Sequence, residues 1–469
     1  MKRYESLAND ITESMAAGSL RPGDRLPSVR DTSKSRGVSP STVFEAYYLL
    51  EARGLIEARP RSGYFVCDAV KAGSEPAAST PASEGHEVEV SDLVFQVLAQ
   101  AGNTALVPLG SAFPSPTLFP LPTLALSMGK AMRHLDPWRT VQDLSPGSTT
   151  LRRQIALRYL AMGCGVDAEE IVITNGAMEA LNLCLEAVTQ PGDLVAVESP
   201  TFYAALQALE RLSLRAIEVA THPRSGVDVP ALAAVLERHP VKACWLMPNF
   251  QNPLGSLMPD AAKQALVALL ERHAVPLIED DVYGELYFTP RKPRPAKGWD
   301  KQGLVMHCSS FSKSLAPGYR IGWAAAGRFA QKVARHKLMS SLAAPVPSQE
   351  TLSEYLQHGG YDKHLRRLRQ TLAEQRRSVV QAIAKHFPAG TRVTQPEGGY
   401  FAWVELPAQV NALELHKLAL SHDISVAPGH LFSADRRFSH HLRINYGHPD
   451  HTGVQAAIRT VGQIAHALR

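Results

Sequence analysis

The first hydrophobic pattern of the chain is helical. Apolar residues recur every three or four positions from Tyr4 to Met15, so we predict an amphipathic helix over this segment. The pair Pro22-Gly23 lies beyond its end, because neither residue readily continues a helix. A second, short helix is predicted to open near Ser28 and to close at Gly37. The chain therefore begins with short helices separated by tight turns.

A third helix and a hairpin complete this first unit. Ser39 is suited to an N-cap, and Pro40 to the first helical position, where its missing N–H costs nothing. Two short runs, Leu55–Ala58 and Tyr64–Val66, predict strands around a turn rich in Pro, Arg, Ser and Gly. Three short helices followed by a β-hairpin wing form a shape that reads DNA. We therefore predict a winged helix-turn-helix over residues 1–69.

A different pattern fills the remainder of the chain. Continuous apolar runs alternate with helical stretches beyond residue 105, which indicates a buried, mostly parallel α/β sheet. These runs are Ile171–Ile173, Leu194–Val197, Ala243–Met247, Val275–Ile278 and Leu304–Met306. Residues 70–105 include a stretch rich in Ala, Ser, Pro and Glu, which predicts a flexible linker. The α/β domain would span 106–469, with a smaller α+β subdomain from about 345.

Composition and charge narrow the class of protein only slightly. The chain of 469 residues has 49 Lys+Arg against 44 Asp+Glu, a net charge of +5 that does not by itself imply nucleic acid. Its five cysteines are scattered without a C-x-x-C pair, so we predict neither a disulfide scaffold nor a metal site. No apolar run is long enough to span a bilayer, and a reducing cytosol is the expected setting.

Several polar residues of the first unit are candidates for contacts with DNA. Ser39, Ser41 and Thr42 would face base edges and phosphates from the third helix, while arginines such as Arg30 and Arg61 would neutralise phosphates. For any one of them, a solvated charged surface is the alternative. The segments Pro22–Arg30, Gly37–Val43, Leu49–Leu55 and Arg61–Phe65 together resemble the GntR family of bacterial transcription regulators. This resemblance implies that Arg30, Ser41, Thr42, Arg61 and Gly63 contact double-stranded operator DNA.

The second unit contains the residue types that pyridoxal phosphate requires. This cofactor needs a lysine for covalent attachment, an acid at its pyridine nitrogen, donors to its ring hydroxyl and a phosphate cradle. Lys313 follows the strand Leu304–Met306 and would be the attachment residue. Ser310, Ser312 and Arg320 flank it and would bind the phosphate, Arg320 through charge-assisted hydrogen bonds. A lysine in a polar loop is by itself usually only solvated.

The partners of the cofactor ring follow other predicted strands. Asp280 comes directly after Val275–Ile278, where a carboxylate is costly unless it is paired with a group such as a protonated pyridine nitrogen. Tyr283 and Asn252 are suitably placed to hydrogen-bond the ring oxygen, and Phe202 could stack on the ring. Each of these residues also has a structural alternative. The acidic residues 279–281 could cap a helix or bind a metal. Asn252 could be an ordinary turn residue before proline, and Phe202 could belong to the hydrophobic core.

Two further segments provide sites for anions. Gly176, Ala177 and Met178 join the strand Ile171–Ile173 to a helix, whose first N–H groups attract a phosphate. Arg443 lies in a short predicted strand, and its guanidinium could bind a substrate α-carboxylate through two parallel hydrogen bonds.

The whole set resembles the fold-type I, class I aminotransferases from about Val107 to the C-terminus. The resemblance includes Pro396–Trp403 and implies that Ala112 approaches the substrate carboxylate, together with Asn252 and Arg443. One departure concerns the phosphate loop. Ala177 and Met178 replace the polar residues usual in the family, so only backbone donors remain at these two positions. This loss should weaken cofactor binding somewhat.

A GntR-type head joined to an aminotransferase-like body resembles the MocR subfamily of regulators, and Glu198–Tyr203 looks like its YdcR-like branch. The resemblance implies a homodimer in the bacterial cytosol, associated with the nucleoid. Two functions remain open. The body could sense an amino acid or amine through pyridoxal phosphate and regulate transcription, or it could be a working aminotransferase with an accessory DNA-binding head. Whether it has transaminase activity, even weak activity, stays undecided by the sequence.

Overall fold

The computed structural model describes residues 3–52, 55–59, 62–66, 74–82, 84–98, 103, 105–358, 360–449 and 453–469. Contacts divide the chain into two compact units: the first is Met1–Ser74 with Phe288–Arg291, and the second is Glu75–Tyr287 with Lys292–Arg469. Within the described ranges, no helix is both long enough and apolar enough to cross a membrane.

The first unit is a three-helix winged helix-turn-helix, as predicted. Its elements are α1 (Arg3–Ala16), α2 (Val29–Arg36), α3 (Pro40–Ala52), β1 (Ile56–Arg59) and β2 (Gly63–Val66), and the two strands pair antiparallel. Ser28 caps α2 by accepting a hydrogen bond from the Asp31 amide at 3.2 Å. Ser39 caps α3 in the same way through the Thr42 amide at 3.2 Å. Gly37 supplies the left-handed backbone, φ +62°, that the turn between α2 and α3 requires.

The second unit is built on a nine-stranded sheet. Its strands are β3 (Gly85–His86), β5 (Ile171–Thr174), β6 (Leu194–Ser199), β7 (Arg215–His222), β8 (Gly226–Val227), β9 (Val241–Leu246), β10 (Leu277–Asp280), β11 (Val305–Ser310) and β12 (Gly322–Ala325). They lie in the order β3-β7-β6-β9-β10-β11-β12-β5, and β8 pairs with β7. The central run β7-β6-β9-β10-β11 is parallel, which confirms the predicted sheet, whereas β12 pairs antiparallel on both sides.

Helices cover the sheet, and a smaller sheet lies in the C-terminal part. The helices are α4 (Ser91–Leu98), α5 (Leu121–Arg133), α6 (Arg139–Gln142), α7 (Thr149–Ala161), α8 (Ala177–Val188), α9 (Tyr203–Arg211), α10 (Val229–Arg238), α11 (Asp260–His273), α12 (Ala330–Ser341), α13 (Val346–Gln357), α14 (Gly360–His386), α15 (Ala412–Leu420) and α16 (Val454–Ala467). The smaller sheet has the order β13 (Arg392–Val393), β14 (Phe401–Glu405), β17 (His441–Asn445) and β16 (Ala427–Pro428). A short pair joins β4 (Val107–Pro108) to β15 (Ile424–Ser425).

The predicted flexible linker over 70–105 needs correction in its described part. Glu75 accepts a hydrogen bond from the Gln395 amide at 2.9 Å, and Ser79 exchanges backbone and side-chain hydrogen bonds with Thr221. Val90, which is 1% exposed, and its neighbour Val94 pack into the core of the second unit. The Ala, Ser and Pro content of this segment suggested disorder, but apolar residues at 88, 90 and 94 bury enough surface to dock it.

Candidate functional site

Lys313 lies in the loop after β11, at the carboxyl end of a central strand. Its Nζ donates to the Ala112 carbonyl at 2.8 Å and lies 3.6 Å from the centroid of the Phe113 ring. Desolvation and the nearby cation of Arg443 together lower the pKa of Lys313 to about 7, against the opposing effect of Asp280. A large fraction of this amine is therefore neutral and nucleophilic near neutral pH.

Asp280 is the last residue of β10, next to the strand that leads to Lys313. It is 1% exposed, and Oδ1 has no hydrogen-bond partner within the described part of the chain. Burial and, to a smaller extent, the neighbouring carboxylate of Asp281 raise the pKa of Asp280 to about 7. A buried polar atom without a partner is costly, so it points to a ligand that supplies one. A protonated pyridine nitrogen would do so.

The two predicted donors to the cofactor ring are buried as well. Tyr283 packs edge-on against the rings of Tyr400 and Phe401, and burial raises the pKa of its hydroxyl, which therefore stays protonated and able to donate. Asn252 accepts a hydrogen bond from Arg443 Nη1 at 3.1 Å. Its Nδ2 is buried and lacks a partner among the residues described. Each side chain thus has a donor available for a ring oxygen.

The residues predicted to hold the phosphate come together where β5 meets α8. Arg320 Nη2 donates to the Asn175 carbonyl at 3.0 Å, and Nη1 approaches Ser312 Oγ at 3.4 Å, while the Ser312 amide donates to Ser310 Oγ at 3.3 Å. Gly176 has φ +83°, and a Cβ there would collide with the Arg320 guanidinium. Gly176 is the N-cap of α8 and has no side chain with which to cap the helix. The loop therefore offers N–H groups and a cation to an anion.

The two residues that open α8 contribute no polar side chain to this cradle. Ala177 is buried in the hydrophobic core of the second unit, and Met178 packs against that core. Phe202 is half-buried at the start of α9, with its ring 4.8 Å from that of Tyr203. Stacking of Phe202 on a cofactor stays a prediction.

Arg443 in β17 completes the constellation. Its side chain is fully buried and donates to the carbonyls of Gly110 at 2.8 Å and Ser111 at 3.3 Å. The Phe401 ring centroid lies 4.2 Å from the guanidinium carbon, and Nε has no partner in the part of the chain described. No carboxylate of the described residues forms an ion pair with it. A buried cation in this state suits the carboxylate of a small ligand.

The chain near Ala112 is fixed by the same group of residues. The Ala112 carbonyl accepts hydrogen bonds from Lys313 Nζ and from Tyr400 Oη at 3.0 Å. Asn445 Nδ2 holds the next carbonyl, that of Phe113, at 2.7 Å. The sequence argument placed Ala112 at the substrate but overlooked Tyr400, although Tyr400 lies in a segment that it had recognised.

A second set of polar residues behind Asp280 also escaped the sequence argument. His307 Nε2 lies 3.0 Å from Asp281 Oδ2, and Nδ1 lies 2.6 Å from Tyr159 Oη. Asn249 Nδ2 donates to Asp281 Oδ1 at 3.3 Å. These side chains come from four distant segments, so only the adjacent pair Asp280 and Asp281 was visible as a signal.

The predicted DNA contacts lie on the surface of the first unit where it is described. Ser39 Oγ lies 2.8 Å from Ser41 Oγ and 2.9 Å from Thr42 Oγ1, so the three hydroxyls cluster at the start of α3. Arg30 is exposed on α2, and Gly63 begins β2 with φ +100°. Arg61 lies outside the described residues.

The buried set fits pyridoxal phosphate. Lys313 would attach the cofactor, Asp280 would meet the ring nitrogen, and the Arg320 and Gly176 cradle would hold the phosphate. Asp280 Oδ1, Asn252 Nδ2 and Arg443 Nε are all buried without partners in the described residues, and ring or substrate atoms would satisfy them.

Comparisons with known proteins agree with this geometry. Residues 139–461 match the family model "Aminotransferase class I and II", and residues 3–66 match "Bacterial regulatory proteins, gntR family". The chain is 47% identical over 465 residues to YdcR of Escherichia coli, described as an uncharacterized HTH-type transcriptional regulator, with 99% of both chains covered. It is 38% identical over 466 residues to a second such Escherichia coli regulator, YjiR, again with 99% of each covered.

Solved structures resemble the second unit. The kynurenine aminotransferase of Pyrococcus horikoshii aligns with a TM-score of 0.75 and 28% identity, covering 81% of this chain and 95% of that one. LysN, the α-aminoadipate aminotransferase of Thermus thermophilus in complex with N-(5'-phosphopyridoxyl)-L-leucine, aligns with a TM-score of 0.74 and 29% identity, covering 81% and 96%.

Proposed function

Because the chain belongs to the MocR subfamily, GntR-type transcription regulators with a pyridoxal phosphate-binding aminotransferase domain, we propose that it senses an amino acid or amine through that cofactor. The observation that supports this proposal most strongly is the fully buried guanidinium of Arg443. Three rings surround it, and its hydrogen-bond acceptors among the described residues are all neutral. A buried cation without an anion is costly, and an amino acid carboxylate would offset that cost.

The residues around Arg443 define where such a ligand would lie. Arg443 would grip the carboxylate, and the neighbouring Ala112 carbonyl would face the ligand beside the Lys313 amine. Asp280 would hold a proton on the ring nitrogen of the cofactor. Pyridoxal phosphate supplies an aldehyde that captures amines and a ring that withdraws electrons from them. The chain itself provides orientation, desolvation and proton placement.

The alternative function is catalysis. Lys313, Asp280, Tyr283, Asn252 and Arg443 together form the set that a transaminase uses, so weak or full turnover is chemically accessible to this chain. The regulator hypothesis has separate support in the first unit, whose α3 is capped and whose hydroxyl cluster is exposed for DNA. A head of this kind has no role in transamination.

We also propose a homodimer. Large apolar side chains are exposed on the second unit near α5, α6 and the end of α12. They are Leu126 (76% exposed), Trp138 (68%), Val141 (61%), Met339 (70%) and Leu342 (61%). A second copy would bury them, and two heads could then contact paired half-sites in bacterial operator DNA at the nucleoid.

Two measurements on the same preparation test these functions. A duplex selected from a random library by the full chain provides the DNA probe, and its affinity is measured with and without each of the common amino acids. Steady-state formation of a 2-oxo acid is measured in parallel. The regulator proposal expects one amino acid or amine to change affinity by roughly 5- to 150-fold. Multiple turnover with no such change would instead support the enzyme.

A further inference from the structure

The phosphate loop of this chain depends on backbone geometry more than its family resemblance suggests. Ala177 and Met178 are packed against the hydrophobic core and offer no side-chain donors. The anion must therefore be held by Arg320, by serine hydroxyls and by N–H groups at the start of α8, whose direction follows from the loop conformation. The conformation of the loop at Asn175 and Gly176 must therefore be fixed by contacts from other residues.

Glu179, in the first turn of α8, is well placed to fix it. Its carboxylate accepts from the Asn175 amide at 2.6 Å and from Asn175 Nδ2 at 3.2 Å. Thus Asn175 is held on one side by Glu179 and on the other by Arg320, which donates to its carbonyl at 3.0 Å. Gly176, the N-cap residue of α8, has no side chain that could cap the first N–H groups of the helix.

A carboxylate in this position would normally oppose a phosphate. Both are anions, and both are attracted to the same helix N-terminus. Lys337 of α12, which is completely buried, offsets the charge by donating to Glu179 Oε2 at 2.8 Å, and Ser341 Oγ donates to Oε1 at 2.6 Å. Burial alone would raise the pKa of Glu179, but these donors and Asn175 lower it below its usual value. Glu179 is therefore ionised, and the positive charge of Lys337 compensates its negative charge.

We infer that Glu179 and Lys337 are positioning residues for the cofactor phosphate: Glu179 fixes the Asn175-Gly176 loop, and Lys337 cancels its charge. In the described part of the chain, the side chains of this pair hydrogen-bond to Asn175, Ser341 and Ala343, and not to Lys313, Asp280 or Arg443. It connects α12 to the cradle across 158 positions of sequence. This inference depends only on cofactor binding and holds whether the protein is a regulator or an enzyme.

The test compares pyridoxal phosphate with pyridoxal, which lacks the phosphate. Cofactor is removed from the full chain with hydroxylamine, and the dissociation constant of each compound is measured from the visible absorbance of the lysine-bound form. Lys337→Met leaves the Glu179 charge uncompensated, so the affinity for pyridoxal phosphate should fall about tenfold, within the range for a charge at a partly buried helix N-terminus. The affinity for pyridoxal should stay within about twofold.

The remaining variants separate charge from structure. Glu179→Gln should lower the affinity for pyridoxal phosphate roughly threefold. The double variant should bind pyridoxal phosphate better than Lys337→Met alone does, because no uncompensated anion remains. Lys337→Arg should restore most of the affinity. Should Lys337→Met not fold, Ser341→Ala, at an exposed position, removes one donor to Glu179 and is expected to give a smaller loss confined to the phosphate form. Equal losses for both compounds, or additive losses in the double variant, would overturn the inference.

Discussion

The candidate binding sites of the two units differ in whether their polar groups are buried or exposed. In the second unit, Asp280, Asn252 and Arg443 each keep a polar atom buried without a partner in the described residues. In the first unit, the hydroxyls of Ser39 and Ser41 are exposed and hydrogen-bond to each other. A small rigid ligand is thus expected where groups are already desolvated, whereas DNA meets a surface that is still solvated. Buried polar atoms without partners therefore locate the candidate small-molecule site, but they do not locate a DNA-binding surface.

The largest expected effect concerns covalent attachment. Lys313→Ala removes the desolvated amine that is predicted to attach the cofactor, so the visible absorbance of lysine-bound cofactor and the label fixed by borohydride at this site should disappear. Selection of DNA by the first unit should survive. Absorbance spectroscopy and mass spectrometry of the reduced protein measure the loss. A reducible lysine adduct that persists in this variant would place the attachment site elsewhere.

Removal of the acid beneath the ring should have the next largest effect. Asp280→Ala leaves the ring nitrogen without its anionic partner, so cofactor retention should weaken and conversion of amino acids in a single turnover should slow by about a hundredfold or more. Asp280→Glu is a control that keeps the charge. Stopped-flow absorbance provides the rates, and normal rates in the alanine variant would refute the role assigned to Asp280.

The pH dependence of cofactor attachment tests the desolvation of Lys313. Because burial lowers the pKa of Lys313 to about 7, the amine is largely protonated below this pH and largely neutral above it. The attachment rate should therefore fall about tenfold for each pH unit below 7 and level off above 7. An ordinary lysine would instead keep accelerating towards pH 10. Rates between pH 5.5 and 9 distinguish the two profiles.

The smallest effect is expected in the core of the first unit. Tyr47 Oη lies 2.7 Å from Thr32 Oγ1 and donates to the Pro27 carbonyl at 2.8 Å. Tyr47→Phe leaves these groups unpaired and should lower the free energy of unfolding of the first unit by about 1 kcal/mol. Amide hydrogen exchange in α3 should then be roughly fivefold faster. The exposed Tyr48→Phe provides a matched control. Faster exchange in the second unit as well would contradict the independence of the two cores.

The sequence predicted those features of the structure that depend on residues close together in the chain. The cap at Ser39, the start of α2 near Ser28 and the polar residues at the ends of β10 and β11 follow from such patterns. Glu179 was missed because its partner Lys337 is 158 residues away. The docking of residues 75–98 was missed because three valines were outweighed by a composition typical of linkers. Long-range pairing is set by packing, which a single sequence does not display.

We propose that binding of an amino acid at the buried Arg443 of the second unit changes the affinity of the first unit for DNA. Affinity for the selected duplex is therefore measured with and without the responding amino acid in three proteins: wild type, Arg443→Ala and Arg30→Ala. Arg443→Ala should bind DNA as wild type does but lose the response to ligands that have a carboxylate. Arg30→Ala should bind DNA more weakly, with a shallower salt dependence and an unchanged cofactor spectrum. A wild-type response in Arg443→Ala would contradict the claim.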